Sequence, residues 1–152
     1  MAQLIEVKGF KELISTMEKY PVELVKTTAV GMSASLNILW ENVPPYPAQD
    51  PQARYQRTGL LGRSLGSDQS GGATGQPSVY SIRQLGGGNF EGTFGTSLDY
   101  AHWVIGENQA GMHASNWWNI ITIAQRSADR IEKLWIAVGE KLAAFLERKG
   151  TS

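Results

Sequence analysis

The sequence predicts an α+β domain in which an antiparallel sheet of three to four strands packs against a long N-terminal helix and a C-terminal helix. Three observations carry that prediction. Apolar residues recur at three-and-four spacing over residues 22–40 and again over 131–145, short alternating runs occupy residues 79–105, and thirteen of the 17 glycines fall between Gly59 and Gly111. Helices therefore flank a strand-and-loop centre. A chain of 152 residues suits one domain, 1–152, with a core large enough to fold unaided.

Leu4-Ile5-Glu6-Val7 reads as a short edge strand, and Phe10, Leu13, Ile14 and Met17 recur at helical spacing until Tyr20-Pro21 stops that helix. Pro21 is placed to open a longer helix over Val22 to Glu41, whose apolar stripe is Val22, Val25, Ala29, Met32, Leu36 and Leu39. Pro44, Pro45, Pro47 and Pro51 forbid its continuation, which leaves a proline-rich arm over 44–57. Ser67 to Gln76 holds no apolar residue larger than Ala73, so it cannot offset its ordering entropy and is expected to be a mobile loop, 67–76. Val79 to Leu85 and Phe90 to Thr96 read as strands joined by Gly86-Gly87-Gly88-Asn89, and Tyr100 to Ile105 as a third strand of the same meander. The β-branched and aromatic run Trp117 to Ile123 precedes a helix with Ser127 as its N-cap. Ile131, Leu134, Trp135, Val138, Leu142 and Phe145 form its buried stripe, and Gly150 marks its end.

Composition excludes several functions. Lys+Arg and Asp+Glu both number 14, so no strong basic field holds nucleic acid by counterion release. With no cysteine there are no disulfides, zinc-thiolate sites or thiol nucleophiles. Charged residues make up only 18%, which suggests that partners cover part of the surface. Met1 to Phe10 mixes Glu6 and Lys8 into its apolar residues and resembles neither a secretory signal nor a membrane span.

Catalytic constellations are weak. Ser64 or Ser97 can be written with His102 and Asp99 as a triad, but no Gly-x-Ser-x-Gly elbow frames either serine. His102, Glu107 and His113 could be written as metal ligands, although their spacing matches no helical or hairpin ligand pattern. The Gly86–Gly92 run lacks the Lys-Ser/Thr ending of a phosphate loop and leads into a strand, so a hairpin turn is expected there. No enzyme activity and no cofactor are expected. Trp117 and Trp118 cannot both point inward from one strand, so one of them should meet another chain or cap the core edge.

Two segments carry more information. Pro44-Pro45-Tyr46-Pro47 leads after a spacer into Tyr55-Gln56-Arg57-Thr58-Gly59-Leu60-Leu61-Gly62-Arg63-Ser64-Leu65, and Gly95-Thr96-Ser97-Leu98-Asp99-Tyr100-Ala101-His102-Trp103-Val104 follows. In this order, behind one long helix and before another, they resemble the tailed-phage neck family of tail-completion, head–tail joining or tail-terminator proteins. About thirty residues match in letters. Ile105-Gly106-Glu107 and Asn116-Trp117-Trp118-Asn119 depart from the family's usual pattern.

The resemblance implies a virion protein, made in the host cytoplasm, that assembles as a homo-oligomeric ring, most often hexameric. Such a ring caps the tail tube protein, docks the head connector or head-closure protein, and leaves a channel through which genomic DNA passes without tight specific binding. Neutral charge fits such a channel. Thr58, Gly59, Leu60 and Ser64 are then scaffolding: Gly59 takes a positive φ, Thr58 caps a backbone donor, and Leu60, Leu61 and Leu65 anchor the turn. Strand alternation places Tyr100, His102 and Val104 on one face and Ala101, Trp103 and Ile105 on the other, which makes the sheet's uncovered side apolar and in need of a neighbour. Tyr100, His102, Trp103, Val104, Trp117 and Trp118 are accordingly the interface candidates. Arg54, Arg57, Arg63 and Arg83 are candidate lumen or partner contacts, and the 44–57 arm and 67–76 loop are expected to order on assembly. The rival function is a carbohydrate- or peptide-binding module of a tail or cell surface that uses exposed tryptophans as stacking platforms.

Overall fold

The computed structural model describes residues 3–8, 20–52, 57–68, 73 and 75–150. Its elements in order are β1 (Gln3–Lys8), α1 (Pro21–Glu41), α2 (Leu60–Ser64), β2 (Val79–Gly86), β3 (Asn89–Thr96), α3 (Ala101–Val104), α4 (Gly111–Ala114) and α5 (Ile120–Gly150). The architecture is a mixture of helix and antiparallel sheet, with long helices toward both ends of the chain. The helix expected over Phe10 to Met17 lies outside the described residues, as do 53–56 of the arm and 69–72 and 74 of the loop.

The sheet has the order β1-β3-β2. β2 and β3 form a hairpin in the register Val79↔Gly95 to Gly86↔Asn89, and β1 pairs with the other edge of β3 from Gln3↔Thr96 to Lys8↔Glu91. The expected meander stops there, because Tyr100 to Ile105 is not a strand. Glycine at the tip permits the tight reversal, with Gly86 and Gly87 both at positive φ.

α1 begins on Pro21, whose fixed φ suits the first helical turn. It ends at Asn42, whose Nδ2 donates to the Ile38 carbonyl at 2.9 Å. One face of α1 lies on the sheet: Leu24 sits over Gly88, and Met32 and Leu36 sit over Gly92. Phe90 and Phe94 of β3 join these residues in the core, and each such side chain stabilises the fold by about 1.5–3 kcal/mol through burial. An adjoining face of α1 takes α5. A Cβ on Gly31 would stand 3.0 Å from Val138 and 3.4 Å from Trp135, so glycine sets how closely the two helices approach. Trp135 Nε1 donates to Ser35 Oγ at 3.0 Å, and Ser35 Oγ donates on to the Gly31 carbonyl at 2.9 Å. Tyr20 meets Phe145 edge-on at one end of this pair, and Arg130 meets Glu41 at the other, so the helices run antiparallel.

The start of α5 differs from expectation. Asn119 Oδ1 accepts the Ile121 amide at 2.9 Å, so Asn119 rather than Ser127 caps the helix. Ser127 is buried mid-helix and accepts from Asn42 Nδ2 at 3.2 Å. Ile120 and Ile123 are buried and continue the stripe of Ile131, Trp135, Val138 and Leu142 backward, so packing overrides the β preference of the run.

A second correction concerns the sheet's far face. On β2 and β3 it carries Ser81, Arg83, Glu91 and Thr93, with Arg83 and Glu91 directly opposed and paired at 2.8 Å. Apart from Val79 at its end, that face of the hairpin is polar over these pairs, because the residues expected to make it apolar belong to α3.

Candidate functional site

The described molecule carries an apolar cleft of about 500 Å³ between the proline-rich arm, α2, α3 and α4. Its first wall is built where helix is forbidden. Past α1, residues 43–50 run without regular structure, and side chains meet several of their main-chain carbonyls instead. Trp118 Nε1 donates to the Pro45 carbonyl at 3.2 Å. Arg57 Nη1 donates to the Pro47 carbonyl at 2.7 Å and the Ala48 carbonyl at 3.2 Å, and its guanidinium lies 5.3 Å from the Trp117 ring centre. Tyr46 stacks with Trp117 as well, 6.4 Å between ring centres at an interplanar angle of 13°. Its ring also lies on Gly62, where a Cβ would come within 2.3 Å of Tyr46 Cδ1. These contacts place residues 44–47 against α2 and the Trp117-Trp118 pair within one chain.

The Thr58-Gly59 turn has the expected chemistry. Gly59 sits at φ 67°, and Thr58 Oγ1 accepts the Leu60 amide at 3.3 Å. Arg63 Nη2 donates to the Thr58 carbonyl at 2.8 Å and steadies the turn from outside. Leu61 and Leu65 are buried as anchors, but Leu60 is exposed and lines the cleft. Ser64 shares a 2.7 Å hydrogen bond with Thr96 and thereby ties α2 to the end of β3.

The second wall is α3. Helical rather than strand periodicity groups its residues: Ala101 and Ile105 are fully buried, while Tyr100, Trp103 and Val104 line the cleft. His102 does not join them. Its ring lies tilted at 46° beside that of Trp103, 4.5 Å between centres, and its Nδ1 lies against the Asp99 carbonyl. Amide side chains hold the floor: Gln109 Nε2 donates to the carbonyls of Val104 and Trp117 at 2.7 and 3.0 Å, and Asn119 Nδ2 to that of Gly106 at 2.7 Å. Met112 and His113 of α4 complete the lining, which among the described residues contains no carboxylate. Partial burial raises the Tyr100 phenol pKa above its ordinary value.

Of the residues singled out in the sequence, Arg57, Thr58, Gly59, Leu60, Tyr100, Trp103, Val104 and Trp117 converge on this cleft. Trp117 and Trp118 are both half-buried against the core and both engaged by the arm, so the pair caps the core edge. Arg63 is exposed beside the Thr58-Gly59 turn, and Arg83 lies apart on the sheet's polar face. Arg54 lies outside the described residues. Tyr46, Gly62 and Met112 were not singled out as site residues, and His113 was considered only as a metal ligand beside His102 and Glu107. Only Tyr46, an aromatic set among prolines, carries a sequence signal that could have found it.

The candidate triad is not assembled. Ser64 Oγ is committed to Thr96 and Leu61, the Ser97 amide is held by Ser78, and His102 faces the Asp99 main chain rather than its carboxylate. No group of three His, Cys, Asp or Glu residues placed to hold a metal occurs among the described residues, so His102, Glu107 and His113 are not brought together. What the site offers chemically is an apolar, aromatic recess with a cation at its edge. Comparison with family models, curated proteins and solved structures finds no match for this chain.

Proposed function

We propose that this protein is a subunit of a phage neck ring, a tail-completion or tail-terminator protein that caps the tail tube and joins it to the head connector. The observation that carries this reading is the convergence of the two segments of the resemblance, Arg57–Gly62 and Tyr100–Val104, on one solvent-facing apolar cleft. Leu60, Tyr100, Trp103 and Met112 are all exposed around it. A contiguous patch of large apolar side chains marks a surface that another protein covers. Ring closure needs a heterologous contact, in which such a cleft meets a different surface of the next copy. The function is then assembly, without catalysis or cofactor, in a virion component through which DNA passes and is not gripped. Six copies is the number that the family resemblance favours.

Native mass measurement of the purified chain tests this. A closed oligomer is expected, and Trp103→Ala should break it while leaving stability within about 0.5 kcal/mol, because Trp103 is 54% exposed. A wild-type chain that remains a monomer at every concentration overturns the reading. The exposed Trp103 face also suits the rival, a carbohydrate- or peptide-binding module. That alternative requires a stable monomer whose tryptophan fluorescence is quenched by ligand.

A further inference from the structure

The cleft has two properties that specify its occupant. It is apolar, and its described lining carries one guanidinium, Arg57, with Arg63 beside it, and no carboxylate. A complementary surface therefore presents a large apolar side chain set among carboxylates. The outer face of α5 is such a surface. All four of its acidic residues, Asp129, Glu132, Glu140 and Glu147, fall on one stripe, spaced so that Ile136 lies in the middle of it. The charged positions are exposed, and Ile136 is 50% exposed although apolar. The cations Arg126, Arg130, Lys141 and Arg148 gather on a neighbouring stripe, and Lys133, one turn on from Asp129, stands at the border between the two. Neither Glu132 nor Glu140 forms an ion pair with a described residue.

Within one chain the two surfaces cannot meet. Ile136 stands about 24 Å along the helix axis from Ile120, at the end of α5 that adjoins the cleft. We infer that the cleft of one copy receives the Ile136-centred acidic stripe of α5 from the next copy, with Ile136 seated among Leu60, Trp103 and Met112 and with Glu132 and Glu140 facing the Arg57–Arg63 side. Because a cleft meets a different surface, each copy uses one of each, and the contact repeats from subunit to subunit. This inference rests on the ring reading and specifies its interface.

The test uses the full-length chain and reads its oligomeric mass against concentration and salt. Wild type should form the closed oligomer, weakened by added salt. Glu132→Lys with Glu140→Lys should weaken association about 100-fold, as expected for reversing close charge pairs, and adding Arg63→Glu should recover at least about tenfold of it. Ile136→Asp should weaken association without altering helical circular dichroism, since the site is exposed on the monomer. If wild type assembles but all these variants assemble equally well, the proposed contact is wrong while the ring reading stands. A monomeric wild type removes both.

Discussion

The α1–α5–sheet body and the cleft-bearing end solve the same problem by different means. In the body, regular elements satisfy their own backbones and cohere through buried side chains such as Leu36, Phe94 and Ile123, all fully excluded from solvent. At the cleft end the arm and the links between α3, α4 and α5 have little regular structure. There, Trp118, Arg57, Gln109 and Asn119 donate side-chain hydrogen bonds to main-chain carbonyls that a helix or sheet would otherwise satisfy. The two regions also differ in how their exposed apolar side chains are arranged: Leu60, Tyr100, Trp103 and Met112 gather around one cleft, whereas Val22, Val30, Leu85 and Ile136 are spread over α1, the hairpin and α5. Regular elements hold one region together, and side-chain hydrogen bonds to carbonyls hold the other.

The largest perturbation of this contrast should come from Phe94→Ala. It removes a fully buried ring from β3 beneath α1, should cost about 3–5 kcal/mol, and should lower the unfolding midpoint of both regions together. A local transition confined to the cleft would show that the body does not support it. Gly62→Ala should act more narrowly. The new methyl would overlap the Tyr46 ring, cost about 1–3 kcal/mol, and raise amide exchange over 44–52 while α1 and α5 stay protected. Loss of protection in α1 as well would mean that the arm is part of the body. The smallest effect is a pH dependence. Below pH 10.0 the Tyr100 phenol is neutral in both states; above it the unfolded chain loses the proton first, because burial raises the folded pKa. Stability should therefore fall with rising pH through that window, and Tyr100→Phe should make the fall shallower in alkaline urea titrations.

The same division governs how much could be read from the sequence. α1 was legible because a helical stripe over twenty residues has one interpretation, and the β2–β3 hairpin because Gly86-Gly87-Gly88-Asn89 marks its turn. Over six residues the patterns are ambiguous. Tyr100 to Ile105 alternates well enough for a strand, yet burial of Ala101 and Ile105, four apart, decides for a helical turn. The start of α5 was missed because Ser127 and Asn119 are both good caps, and only the tertiary burial of Ile120 and Ile123 selects the earlier one. The cleft itself was not legible. Its walls are forty residues apart, and the contact of Tyr46 with Gly62 that fixes the first wall depends on the arm folding back.

The tight approach of α1 to α5 at Gly31 has a consequence for biosynthesis. The side chains that fill that approach, Trp135 and Val138, leave the ribosome more than a hundred residues after Gly31 does. At about 5–20 residues per second the delay is roughly 5–21 s. For that interval the flank of α1 that receives α5 lacks Trp135 and Val138, so the helix pair forms only after the hairpin on the other face of α1 has been synthesised.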